Sequence, residues 1–212
     1  MKIVVVNYGL SNLLSVKRAF EHCGAEIVIT GNPEEVMTAD KIVLPGVGAF
    51  KDGMKGLVSL GLDEAIKSKV VTSTPLLGIC LGMQMLFDES DENGVHQGLG
   101  LIGGRVEKIP EIDCNDLKQC VPHIGWNILK PNNDKEQFDN ELLQKIESGK
   151  EVYFVHSYEA KPVDQNSNLA NTIYGGRNIC AVAGKDNVYG CQFHPEKSGE
   201  TGLSIIRNFI NL

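Results

Sequence analysis

Cys80 stands between Gly78 and Gly82 in the stretch GICLGMQML, where an apolar run meets what reads as an amphipathic helix. A strand that turns sharply into a helix would present this thiol at the turn, and glycines on both sides permit the close packing such a turn needs. Two chemical consequences would follow. The start of a helix favours a negatively charged sulfur, and the backbone N–H of Leu81 is left to donate to a developing oxyanion. Read alone, the stretch also fits a buried, unreactive cysteine, the commoner fate of a free thiol.

A thiol nucleophile needs a base, and the base needs an orienting partner. The stretch CQFHPEKSG offers both. Pro195 biases His194 toward extended backbone, and in an extended segment His194 and Glu196 point to the same side. The spacing predicts an imidazole–carboxylate pair delivered to one edge of a sheet by the apolar strand before it. A surface histidine beside a solvated glutamate is the plain alternative. His22, late in a helical pattern, and His96, in a polar loop, are weaker candidates. A third piece is LPGVGAF, residues 44–50, where glycine lets the main chain approach a ligand and could bring a second oxyanion donor. This loop matches neither a Walker nor a dinucleotide fingerprint, and a simple strand-to-helix turn also accounts for it.

The elements that would position these residues alternate in the first half of the chain. Ile3–Val6 is a short, continuously apolar run, the pattern of a strand buried on both faces. Ser11 reads as an N-cap, Leu13, Val16, Phe20 and Cys23 fall at helical spacing, and Gly24 is a stop signal. Residues 26–30 and 41–44 read as strands, residues 54–70 as helix interrupted near Gly61, residues 75–79 as a fourth strand, and a helix begins at Leu81. Strand–helix alternation implies βαβ units and a parallel sheet. The second half holds mostly short strand candidates: residues 100–108, 122–130, 151–155, 169–174, 179–184 and 187–193. A short helix is expected at residues 141–146 and a closing helix at 199–212. The fold class is therefore α/β: a flavodoxin-like, doubly wound, mainly parallel sheet with antiparallel or mixed additions in the second half. No repeat, linker or low-complexity segment divides it, so residues 1–212 read as one domain.

Composition bounds the function class. Of 212 residues, 42% are hydrophobic and 22% charged, ordinary for a globular protein, and the formal net charge is −7. With no Lys/Arg cluster, a nucleic-acid surface is not expected. The N-terminal apolar run is too short for a signal-peptide core or a membrane span. The six cysteines show no C-x-x-C pair and no zinc-like spacing with the five histidines, so neither a metal nor another cofactor is expected. Reduced thiols and a cytoplasmic location are the expectation.

Taken together and in this order, PGVGAF, GICLGMQ and FHPE resemble the class I (triad) glutamine amidotransferases. The resemblance is nearest to the glutaminase subunits of imidazole glycerol phosphate synthase (the HisH type). It runs from NYGLSNL at residue 7 through GLGLIGGRV, VPHIGWN and YFVHSY to GCQFHPEKSGETGL, essentially the whole chain. It implies that Cys80 attacks the side-chain amide of glutamine, His194 shuttles the proton and Glu196 orients His194. Leu81 and the Val47–Gly48 peptide would form the oxyanion hole, completed by a backbone rearrangement when a partner signals. Gly46, Gly48, Gln84, Ser157 and Tyr158 would line the glutamine pocket. Ammonia would pass to a (β/α)₈-barrel cyclase subunit in a heterodimer, with Asn12, His123, Trp126 and Lys197 at the interface. For Trp126 a place in the core is the alternative, and for Lys197 a solvated surface. Asn7 stands where the family usually has Asp, and Ser11 where it usually has Gly. Relatives with similar motifs serve amidotransfer in surface-polysaccharide nucleotide-sugar biosynthesis, the alternative assignment.

Overall fold

The structure is a computed structural model and describes residues 1–132 and 136–212. The chain opens with β1 (Ile3–Val6), α1 (Leu13–His22), β2 (Ile27–Thr30), α2 (Pro33–Met37), β3 (Lys41–Gly46), α3 (Phe50–Ser59), α4 (Leu62–Val71), β4 (Leu76–Cys80) and α5 (Leu81–Gln84). It continues with β5 (Phe87–Ser90), β6 (His96–Gln97), β7 (Ile102–Lys108), β8 (His123–Ile128), β9 (Lys130–Pro131), β10 (Glu151–His156), β11 (Tyr158–Pro162), β12 (Asn168–Tyr174), β13 (Arg177–Lys185), β14 (Val188–Cys191) and α6 (Gly199–Asn211).

The main sheet has eight strands in the order β2-β1-β3-β4-β14-β13-β12-β9. The first five run parallel, and β13, β12 and β9 extend them antiparallel. The expected parallel core with antiparallel additions is what the chain forms. A four-stranded sheet, β11-β7-β5-β6, and a β8–β10 ribbon flank it.

The apolar run of β1 is buried throughout, and its side chains divide by alternation. Val4 and Val6 join one core with Ile42, Leu44, Phe50, Leu57 and Met83. Ile3 and Val5 face the other, with Phe20, Leu77, Ile206 and Phe209. Each fully buried Leu, Ile or Phe side chain contributes roughly 1.5–3 kcal/mol, so cores on both faces hold the parallel strands rigid. Among the described residues no helix is long and apolar enough to cross a membrane.

Several local expectations shift. Gly61 does interrupt the helix, adopting φ +68° between α3 and α4. Ser11 is not the cap: Asn12 occupies that position, without a side-chain cap bond. The helix after Cys80 is a single turn, because Met83, Met85, Leu86 and Phe87 are buried on all sides and the chain enters the second sheet at β5. The expected helix at residues 141–146 is a 3-10 turn at Glu141–Leu143. Helix α2 was not expected, although Asn32 accepts from the Glu34 N–H and Pro33 occupies the first position, both ordinary start signals.

Candidate active site

Strands β3, β4 and β14 are neighbours in the parallel part of the sheet, and their carboxyl ends open into one cleft, where ligands of such sheets gather. The cleft, about 300 Å³, is lined by residues that include Val47, Gly48, Cys80, Leu81, Gln84, Ser157, Tyr158 and His194. Cys80 and His194, 114 positions apart in the chain, therefore face the same space.

Cys80 is the last residue of β4 and sits at φ +54°, ψ −110°, a conformation that side-chain-bearing residues rarely adopt. Such strain persists only where the surroundings over-determine it. Here they do: a Cβ at Gly82 would lie 1.7 Å from the Leu44 carbonyl oxygen, and one at Gly78 would lie 2.7 Å from the Gly82 backbone. The turn is packed against β3 so closely that neither position admits a side chain. The Leu81 N–H opens the single helical turn, where the first N–H groups have no partner within the helix.

His194 follows β14 and caps a 3-10 turn, Pro195–Lys197. The turn, rather than an extended chain, carries Glu196 back so that its Oε1 lies 2.8 Å from His194 Nδ1. The turn is strapped to β10. The His194 N–H donates to the Tyr153 carbonyl (3.0 Å), the Ser198 hydroxyl donates to the His194 carbonyl (2.6 Å), and the Tyr153 N–H donates to Ser198 Oγ (2.9 Å). Both side chains of the pair are almost fully buried, at 3% and 1% exposure. Burial alone would depress the His194 pKa, but the Cys80 sulfur and the Glu196 carboxylate outweigh it and lift the ring to about 9. His194 Nε2 makes no hydrogen bond of standard geometry.

The loop after β3 is less open than its glycines suggest. Gly48 is exposed at φ +100°, but the Val47 N–H donates to the Leu10 carbonyl (3.1 Å) and is not offered to the cleft. Gly46 pairs with Cys80 in the sheet, one residue before Val47 and Gly48, which line the cleft. Its side chain is excluded by the Tyr8 hydroxyl, 2.3 Å from where a Cβ would stand, and that hydroxyl donates to the Pro45 carbonyl. The Asn7 side chain accepts from the Gly9 N–H (3.2 Å), and Ser11 Oγ is buried without a partner, so both departures lie in the segment that carries the Leu10 carbonyl.

Of the four residues expected at an interface, Trp126 is 53% exposed, which overturns its core alternative, and Lys197 is also exposed. Asn12 is half-buried. His123 is only 3% exposed in the chain alone, because alternation along β8 turns it inward while Ile124 and Trp126 face out. Its ring stacks on Tyr174 and Phe154, and its Nδ1 lies 3.0 Å from His156 Nε2. Because His156 Nδ1 donates to the Tyr158 carbonyl (2.8 Å), its Nε2 is the acceptor and His123 Nδ1 carries the proton. Burial pushes the pKa of His123 down to about 4 and that of His156 to about 3.

Glu92, Pro122, Val155 and His156 also line the cleft and were not singled out as site residues from the sequence. Glu92 Oε2 accepts the Phe50 N–H at 2.7 Å, tying the second sheet to the start of α3. No spacing pattern links these four to Cys80; they arrive by tertiary folding. Among the described residues no group of three or more His, Cys, Asp or Glu is placed to hold a metal ion.

Comparison with known proteins agrees with this arrangement. Residues 4–212 match the family described as glutamine amidotransferase class-I. The chain is 49% identical over 210 residues to imidazole glycerol phosphate synthase subunit HisH 1 of Legionella pneumophila (strain Lens), covering 99% of each. It is 47% identical to the HisH subunit of Geobacillus sp. (strain WCH70), covering 99% of this chain and 96% of that one. Among solved structures, PurLQS from Thermotoga maritima aligns with a TM-score of 0.73 at 21% identity, covering 99% of this chain and 97% of that chain, a likeness of fold. The chain belongs to the class-I glutamine amidotransferases.

Proposed function

We propose that this chain is the glutaminase subunit of an imidazole glycerol phosphate synthase in histidine biosynthesis, working in the cytoplasm. The observation that carries the reading is the meeting of Cys80 and His194 in one cleft, with Glu196 bonded to the far side of the imidazole. Near 49% identity over almost the full length to a subunit of that name supports the choice of synthase.

The residues divide the work as follows. Cys80, its proton taken by His194, attacks the side-chain amide carbon of glutamine. The C–N bond breaks as His194 returns the proton to the leaving nitrogen, giving ammonia and a γ-glutamyl thioester. Water, deprotonated by His194, then attacks the thioester; the C–S bond breaks, glutamate leaves and the sulfur regains a proton. Covalent catalysis splits one difficult amide hydrolysis into two easier steps. Glu196 holds the imidazole in the productive tautomer. The Leu81 N–H and the Val47 N–H, the latter once released from the Leu10 carbonyl, stabilise the oxyanion, and Gln84, Ser157 and Tyr158 hold the substrate. Ammonia passes to a (β/α)₈-barrel cyclase subunit docked through Asn12, Trp126 and Lys197.

The test is a Cys80→Ala variant assayed with the cyclase. Glutamine-dependent synthesis should vanish while ammonia-dependent synthesis persists. Retained glutaminase activity would refute the assignment. Complementation of a histidine auxotroph, requiring Cys80, checks the pathway.

A further inference from the structure

Gln192 is fully buried, two residues before His194, and none of the roles above uses it. Its side chain lies between Gln84 and Cys80: Gln84 Nε2 is 3.0 Å from Gln192 Oε1, and Gln192 Nε2 is 3.9 Å from Cys80 Sγ. Which end of each amide faces which neighbour follows from one backbone group. The Tyr158 carbonyl can only accept, so the Gln84 atom 3.0 Å from it is the NH₂ group. The second hydrogen of that NH₂ points at Gln192, which must answer with its oxygen. The remaining end of Gln192, the NH₂, is therefore turned to the sulfur. A flipped Gln192 would set donor against donor at Gln84, between two buried side chains.

We propose that Gln192 is a further catalytic residue: its side-chain amide donates to Cys80 Sγ and stabilises the negative charge on sulfur. That charge is present twice, when sulfur attacks and when it leaves the thioester carbon. Hydrogen bonds to ionised acceptors are roughly twice as strong as neutral ones, so the amide favours the charged form in both steps. The Val155 carbonyl, 3.8 Å away on another side of the sulfur, accepts from the thiol and cannot do this. The proposal rests on Cys80 being the nucleophile.

The experiment measures carboxamidomethylation of Cys80 by iodoacetamide across pH in the full chain, reading the Cys80 peptide by mass spectrometry. Peptide resolution is needed because Cys23, Cys114 and Cys120 are also accessible. Gln192→Leu removes the donor, and Gln192→Glu replaces it with an acceptor. The titratable groups around the sulfur, His194, Glu196, His156, Tyr8 and Glu92, are left in place. The profile should move to higher pH in Gln192→Leu and further in Gln192→Glu, with a rate at neutral pH about fivefold lower in the former. Profiles superimposable on the unmodified chain in a folded variant, even one of lower stability, would overturn the proposal and leave Gln192 a packing residue. Should both variants fail to fold, the side-chain ¹⁵N–H resonances of Gln192 in the unmodified chain decide. They should follow Cys80 ionisation and lose that response in Cys80→Ala; resonances indifferent to pH overturn it. Glutaminase activity of Cys80→Ala is measured alongside. Its loss, with unshifted alkylation in the Gln192 variants, removes only the role of Gln192, whereas its retention removes the nucleophile and this proposal together.

Discussion

His194 Nδ1 and Glu196 Oε1 lie 2.8 Å apart across a single 3-10 turn whose backbone is held by Tyr153 and Ser198. The contact fixes a charged carboxylate against one ring nitrogen and leaves the other for the thiol side. Glu196→Gln keeps the shape and removes the charge. Glutaminase turnover should fall about 10²-fold or more, measured in the complex at saturating glutamine. The same substitution should flatten the pH dependence of stability. A His194 pKa of about 9, above its unfolded value near 6.5, means that the folded state holds the proton more tightly. That contribution is complete below pH 6.5 and is lost as pH rises through 9. Denaturant midpoints between pH 7 and 9.5 should therefore decline more in the unmodified chain than in Glu196→Gln.

The Val47 N–H, proposed above as an oxyanion donor, is bonded to the Leu10 carbonyl and so withheld from the resting cleft. A missing donor costs roughly 10²–10³ in turnover. The isolated chain should hydrolyse glutamine at least about 10²-fold more slowly than the complex charged with the cyclase's nucleotide substrate. Amide exchange at Val47 should be slow alone and accelerate in the charged complex. Rapid hydrolysis by the purified chain would sink the idea.

Trp126 exposes 53% of its surface and stacks edge-on against Tyr153, 6.0 Å between ring centroids. An exposed tryptophan on a ribbon is the kind of anchor that dominates an interface. Trp126→Ala should weaken cyclase binding about 10- to 100-fold by titration calorimetry, while thermal unfolding of the free chain changes little.

The His123–His156 pair makes an acid liability. Burial holds both rings neutral, with pKa values near 4 and 3, far below the unfolded value. A depressed histidine stabilises fully above about pH 6.5, and this is lost as pH falls toward 4, because the unfolded chain takes up the proton first. Unfolding midpoints should drop between pH 6.5 and 4.5. His123→Phe can keep the stack on Phe154 and Tyr174 but leaves His156 Nε2 without its donor, at a cost of about 1–3 kcal/mol at neutral pH. The drop on acidification should be shallower in this variant, since one depressed ring is gone.

The parts of this molecule legible from sequence are those governed by short-range pattern. The apolar runs of β1, β3 and β4, and the glycines around Cys80, led to a parallel sheet with a thiol at a strand end. His194 and Glu196 were paired by their spacing; His194 itself is extended, as Pro195 biases it to be, but the residues after it form a 3-10 turn rather than continuing extended. The one-turn α5 escaped because burial on all sides erases the amphipathic period that marks a helix's length. His123 escaped because alternation says which residues share a face of a strand, not which face is inside. Gln192 escaped for another reason: a buried glutamine in an apolar strand has no signature until the sulfur, Gln84 and the Tyr158 carbonyl are brought around it.

The contact between Gly82 and the Leu44 carbonyl gives the fold a built-in ruler. Leu44 belongs to β3, and β3 runs directly into the Val47–Gly48 loop. The turn that carries Cys80 is thus butted against the same strand that carries the Val47–Gly48 loop, the two segments to which the proposed chemistry assigns the nucleophile and an oxyanion donor. A slip of β3 along its axis would move both together and preserve their separation. Reshaping this cleft for a different amide should leave β3 and the Cys80 turn as one unit and work on Glu92, Pro122 and the β10–β11 corner opposite.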